Sequence, residues 1–113
     1  MENRKFGRTG AVISEIGLRT WQLGTRWGDP FNGDEAQRIL ETAWENGVTF
    51  FDTADVYNGG NSEKAIGEFI KGKKERPYIV TKCGRGAKPH NEDSYRAESL
   101  EHFVDGSLER MGL

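Results

Sequence analysis

Cysteine occurs once in the 113 residues, at Cys83, so no internal disulfide can form. The thiol reads as buried rather than nucleophilic, because nothing in the sequence places beside it the partners a thiolate needs. Histidine occurs only twice, and His90 and His102 are twelve apart with no H-E-x-x-H arrangement. Each reads as a surface or helix residue, and no metal site is expected. Charge of one sign is also scarce: the formal net charge is -2, with no basic tail and no long Lys/Arg run, which argues against a nucleic-acid partner. The densest basic stretch, Lys71, Lys73, Lys74 and Arg76, is broken by Gly72 and followed by Pro77, and reads as a solvated turn. No window approaches the 18 or more apolar residues of a membrane span. Met1-Glu2-Asn3-Arg4-Lys5 leads into no signal-like apolar run. No membrane partner is expected, and the location that follows is cytoplasmic. A strand followed by G-x-G-x-x-G is missing, and Gly84 to Lys88 falls short of a phosphate-binding G-x-x-x-x-G-K-[ST] loop.

What is present is an ordered chain of mixed charge, 35% hydrophobic and with 15 glycines. Gly7-Arg8-Thr9-Gly10 separates two short extended pieces and predicts a small hairpin over about 4–13. Ile16 to Thr20 reads as a first strand, and Trp21 to Gly33 as a loop. Ala36, Ile39, Leu40, Ala43 and Trp44 share one helical face, with Asp34 as the cap and Gly47 just past the end. Val48 to Phe51 has no polar alternation and suits a strand buried on both faces. After the Asn58-Gly59-Gly60 turn, Asn61 or Ser62 is placed to cap a second helix whose inner face carries Ala65, Ile66, Phe69 and Ile70. Tyr78 to Thr81 is the third strand. The last helix presents Leu100, Phe103, Val104, Ser107, Leu108 and Met111 on one side, and Gly112 ends it. The repeated unit is strand, loop, helix, which demands parallel strands with right-handed crossovers. A doubly wound sheet and a TIM barrel both fit that order.

In α/β folds ligands bind beyond the carboxyl ends of the strands. Asp52 and Lys82 stand where two predicted strands end, and Tyr57 lies five residues beyond Asp52. A carboxylate, a phenol and an ammonium at one rim suit a tyrosine that donates a proton to a carbonyl oxygen as hydride reaches the carbon. The competing reading is that Asp52 caps a turn, Tyr57 packs its ring and Lys82 is solvated.

Phe51-Asp52-Thr53-Ala54-Asp55-Val56-Tyr57, with Gly59, Gly60, Ser62 and Glu63 behind it, resembles the signature of the aldo-keto reductase family. Phe6 to Gly10, Ile16-Gly17-Leu18, Thr20 to Gly24, Thr81-Lys82 and Ser107 to Leu113 follow in the family's order. The resemblance implies the amino-terminal portion of a TIM (β/α)8 barrel preceded by a β-hairpin that closes its bottom end. It implies one partial domain over 1–113, a hairpin followed by three β-α units. It further implies NADP(H)-dependent reduction of a small aldehyde or ketone, with Tyr57 as general acid, Lys82 lowering its pKa and Asp52 paired with Lys82. Thr20 and Trp21 match the loop that approaches the nicotinamide in that family, and Asp52 lies near its carboxamide. Trp21, Trp27 and Tyr57 are candidates for an apolar substrate wall.

Two departures qualify the match. The family's catalytic histidine, at the end of its next strand, has no counterpart here, and neither His90 nor His102 fills that place. Arg19 stands where glycine commonly precedes the threonine; it either alters the mouth of the site or points outward. A complete barrel needs roughly 250 residues. The expectation is therefore a fragment, or the ordered part, of a longer reductase, inactive by itself. An open sheet with unpaired edges, Phe50 and Ile79 facing inward, would invite self-association. The alternative is a non-catalytic binding or assembly module built on the same fold.

Overall fold

The structure, a computed structural model, describes residues 1–113. It begins with an antiparallel hairpin of β1 (Asn3–Lys5) and β2 (Val12–Ser14), in which Arg4 pairs with Ile13. Three parallel strands follow, β3 (Leu18–Arg19), β4 (Phe50–Asp52) and β5 (Tyr78–Val80), in that order across one sheet. Between them run α1 (Gly33–Glu45) and α2 (Asn61–Ile70), and α3 (Ala97–Met111) comes last. Sequential parallel neighbours form a partial, TIM-barrel-like sheet, with the hairpin ahead of it.

The register divides the side chains between two faces. Leu18, Phe51 and Ile79 are partners across the three strands and so point the same way, as do Arg19, Asp52 and Val80. The first set faces the helices. Phe51, wholly buried, joins Leu40, Ile66, Phe69, Ile70 and Met111 in the core, with Leu18 and Ile79 packed on it. The second set, continued by Phe50 and Tyr78, has no helix over it. The expectation for β4 is thus half right: Phe51 is enclosed, whereas Phe50 is only half-buried, its ring 5.5 Å from that of Phe6 in the hairpin. Ile79 is corrected outright, because the odd register step turns it toward the helices rather than the open face.

The hairpin is tied to the amino-terminal end of the sheet by a reciprocal pair: Ser14 N–H donates to Thr49 Oγ1 and Thr49 N–H to Ser14 Oγ, both at 2.9 Å. That is the end opposite the carboxyl rim, as expected of a hairpin closing the bottom.

The predicted helices are present, but their caps are displaced. Asn32, not Asp34, caps α1 by accepting from Glu35 N–H, since a side chain can reach the free N–H groups only from outside the first turn. Gly60, in a left-handed conformation, precedes α2, which leaves Asn61 and Ser62 inside the helix. Gly47 and Gly112 take positive φ just past α1 and α3, as read from the sequence. On α3 only Ser107 and Met111 are buried; Val104 and Leu108 are exposed. The helix touches the rest of the fold along a narrow line where Gly67 of α2 meets Met111. A methyl group at Gly67 would lie 2.8 Å from the Met111 main chain.

Candidate active site

The three strands end on one rim, and the polar residues that follow them meet there. Asp52 is the last residue of β4, and Lys82 comes two residues after β5. Lys82 Nζ donates to Asp52 Oδ1 and to the Thr53 carbonyl, both at 2.6 Å. Because half of the Lys82 side chain and a third of that of Asp52 are exposed, the pair orients these groups more than it stabilises the fold.

Tyr57 opens a kinked turn, Tyr57–Gly60, in which Asn58 and Gly59 take left-handed conformations, and its side chain is buried. Lys82 Nζ lies 5.0 Å from the centre of its ring. The hydroxyl is engaged by a different residue: Arg19 donates to it from Nη2 at 3.2 Å and from Nε at 3.4 Å. This hydrogen bond is the main reason the Arg19 pKa is raised above its ordinary value. Of the two readings for Arg19, the structure selects the one that changes the mouth of the site. Trp21 packs edge-on against Tyr57 with ring centroids 5.3 Å apart, and the Arg19 guanidinium lies 5.8 Å from the Trp21 ring.

The loop that carries Tyr57 is held by a buried network. Asn58, left-handed at φ 51, donates through Nδ2 to Ser62 Oγ at 2.7 Å and to the Leu23 carbonyl at 3.3 Å. Ser62 Oγ in turn donates to the Thr20 carbonyl at 3.0 Å, tying the start of α2 to the end of β3. Next to it, Glu63 is wholly buried and accepts from Thr81 Oγ1 and from Arg110 Nε, both at 2.6 Å. One carboxylate thus joins α2, the end of β5 and α3. Asp55 lies within its field. Burial, then the Glu63 charge, push the Asp55 pKa up, against the opposing pull of Arg110 and the Val56 N–H.

Between these elements lies a cavity of about 590 Å³, walled by Trp21, Trp27, Val56 and Tyr57 and by the charged residues Arg19, Arg26, Asp29, Asp55, Lys82 and Arg85. That volume lies within the usual range for a small-molecule site. Cys83, expected to be buried, is half-buried in the same wall. The sequence reading placed Asp52, Tyr57, Lys82 and Trp21 together, and the structure brings them together. Thr20 is nearby but wholly buried, with its hydroxyl donated to the Asp52 carbonyl at 3.2 Å, so its side chain braces the two strands. Neither histidine lines this cavity: the His90 ring lies 2.7 Å from the Tyr95 hydroxyl, and His102 lies on α3. Sequence reasoning gave no role to the Glu63–Arg110 pair. Its signal was there, in an acidic residue at a position that must face the core of α2.

The donor set fits the reacting end of a nicotinamide. Trp21 and Tyr57 offer aromatic surface, Asp52 Oδ2 stands outside the Lys82 pair, and the remaining cations of the wall suit a phosphate-bearing cofactor.

Comparison with known proteins identifies the family and the fold. The model of a family described as the aldo/keto reductase family matches residues 15–113. Pyridoxal 4-dehydrogenase of Microbacterium luteolum is 38% identical over 84 residues, which cover 74% of this chain and 24% of that protein. Among solved structures, the thermostable aldo-keto reductase Tm1743, in complex with the inhibitor epalrestat, superposes with a TM-score of 0.80 at 32% identity, over 99% of this chain and 39% of its own. Aldo-keto reductase AKR11C1 from Bacillus halodurans, in its holo form, gives 0.79 at 28% identity, over 99% and 37%. The chain therefore spans about a quarter of the length of that curated relative and under two-fifths of these two solved ones.

Proposed function

The chain belongs to the aldo/keto reductase family, and from that premise we propose that it carries the proton-donating part of an NADP(H)-dependent reductase of aldehydes or ketones. The observation behind the reading is the meeting of Tyr57, Lys82 and Asp52 at the carboxyl rim of consecutive parallel strands, beside a cavity of about 590 Å³. When bound, the reduced nicotinamide supplies the hydride. Tyr57 gives its proton to the carbonyl oxygen, so that one hydride and one proton convert the carbonyl to an alcohol. Lys82 and Arg19 stabilise the negative charge that grows on the Tyr57 oxygen as the proton leaves, and they are in place before the reaction begins. Asp52 and the Thr53 carbonyl hold Lys82 over the ring. Trp21 and the ring of Tyr57 exclude water from one side.

The test uses the intact protein that carries these residues. With NADPH and a panel of small aldehydes and ketones, Tyr57→Phe should lower kcat by about 10²- to 10⁴-fold, the usual share of a general acid, while nicotinamide fluorescence reports unchanged cofactor binding. A Tyr57→Phe enzyme within about threefold of the wild type would refute the role. A binding or assembly module is the second reading. It is favoured by the apolar side chains that no element covers, Tyr78, Val80, Val104 and Leu108. Stable self-association together with no NADPH affinity would favour it.

A further inference from the structure

We propose that Arg19 determines specificity, selecting carbonyl substrates that carry a carboxylate next to the reacting carbonyl; this rests on the reductase reading above and names its substrate class. Arg19 closes β3 in register with Asp52, so its side chain leaves the sheet on the face that Asp52 shares. Arg19 is exposed, and its guanidinium is engaged on one side by the two aromatic residues. It lies 5.8 Å from the Trp21 ring and 5.9 Å from the Tyr57 ring, with two contacts to the phenol oxygen. No carboxylate of the chain forms an ion pair with it, because Asp52, the acid in register with it, is taken by Lys82. The guanidinium has five N–H donors in a planar fork, and those not directed at Tyr57 remain for another acceptor.

A carbonyl oxygen that takes the Tyr57 proton must sit within hydrogen-bond distance of the phenol oxygen. The guanidinium already lies 3.2 Å from that atom. A carboxylate one carbon away from the reacting carbonyl therefore falls within the fork, where planar bidentate pairing is strongest. A neutral substrate would cover the cation and give it nothing in return, which is how one site both favours the anion and disfavours its uncharged counterpart. The cavity has the right sign. Arg19, Arg26, Lys82 and Arg85 face Asp29 and Asp55 across it, and the Lys82 charge is met by Asp52 outside that count.

Phenylglyoxylate and its methyl ester share a ring and a ketone and differ in charge, so the ratio of their kcat/KM values with NADPH reads the effect in the intact protein. The wild type should prefer the anion. Arg19→Gln should lower the anion-to-ester ratio by about 10- to 100-fold, the worth of a hydrogen bond to a charged group, and Arg19→Lys should restore part of it. A wild type that is indifferent or prefers the ester overturns the proposal, whatever the variants do. Equal losses on both substrates also overturn it, since Arg19 would then act only through Tyr57. Calorimetric titration of both compounds into the protein–NADP+ complex reads the same selectivity without turnover. Anion affinity lost in Arg19→Gln while ester affinity persists would support the proposal even if neither compound is reduced, a result that would sink only the reductase reading. Anion affinity that does not respond to the substitution, or its absence from the wild type, refutes it.

Discussion

Replacing Glu63 by alanine would leave Thr81 and Arg110 without their acceptor and open a gap in a part of the core that water does not reach. The carboxylate is fully buried, and both of its hydrogen bonds are 2.6 Å long. Breaking a buried pair by removing one member costs about 3–5 kcal/mol. The Arg110 side chain is 27% exposed and keeps Ser107 Oγ at 3.3 Å, so part of its charge can be rehydrated and the loss should lie near the lower end, about 3 kcal/mol. Glu63→Gln keeps the shape and one acceptor. Exchanging charged for neutral hydrogen bonds should cost about 1–2 kcal/mol. Arg110→Met strands the carboxylate instead, and should cost about 3–5 kcal/mol. The double variant Glu63→Gln with Arg110→Met should then lose much less than the sum of the singles, by about 2 kcal/mol. Urea unfolding of the wild type, Glu63→Gln, Arg110→Met and the double variant at neutral pH, followed by tryptophan fluorescence and circular dichroism, gives the coupling directly. A coupling below about 0.5 kcal/mol, the level found for independent sites, would show that the pair is not the link between α2, β5 and α3.

Asp55 offers a pH test with a definite sign. Its folded pKa is raised above the ordinary 3.8, chiefly by burial. The protonated form is therefore favoured in the fold, and stability from this group is complete below about 3.8 and declines as pH rises through the folded value. Asp55→Asn should lack that decline, so its urea midpoint relative to the wild type should climb across that interval; a difference that stays flat with pH would contradict the assignment. Gly67→Ala should destabilise by about 1–3 kcal/mol as overpacking, because the added methyl meets the Met111 main chain at 2.8 Å; a neutral effect in thermal melts would show that α3 is free to shift. Asn32→Ala should cost about 1 kcal/mol through loss of the α1 cap, whereas Asp34→Ala should change the melting temperature far less, and the reverse ranking would restore Asp34 as the cap.

The elements were legible in the sequence because periodicity is local. Ala36, Leu40, Ala43 and Trp44 recur at helical spacing whatever they pack against, and Phe50-Phe51 ends in Asp52 whether or not a neighbour pairs with it. Order along the chain also fixed which residues would stand at the rim, since a residue that follows a parallel strand is delivered to the carboxyl edge by connectivity alone. Three things were decided only in three dimensions. Register set the faces, turning Ile79 to the helices and leaving Arg19 beside Asp52. Caps depended on where the first helical hydrogen bond closed, which moved the role from Asp34 to Asn32 and placed Gly60 ahead of α2. The partner of the Tyr57 hydroxyl required an approach between residues 38 apart in sequence, and there Arg19 reached the oxygen while Lys82 turned to Asp52 and Thr53. Residue type and spacing determine what a side chain can do, and the path of the backbone around it determines which atom it meets.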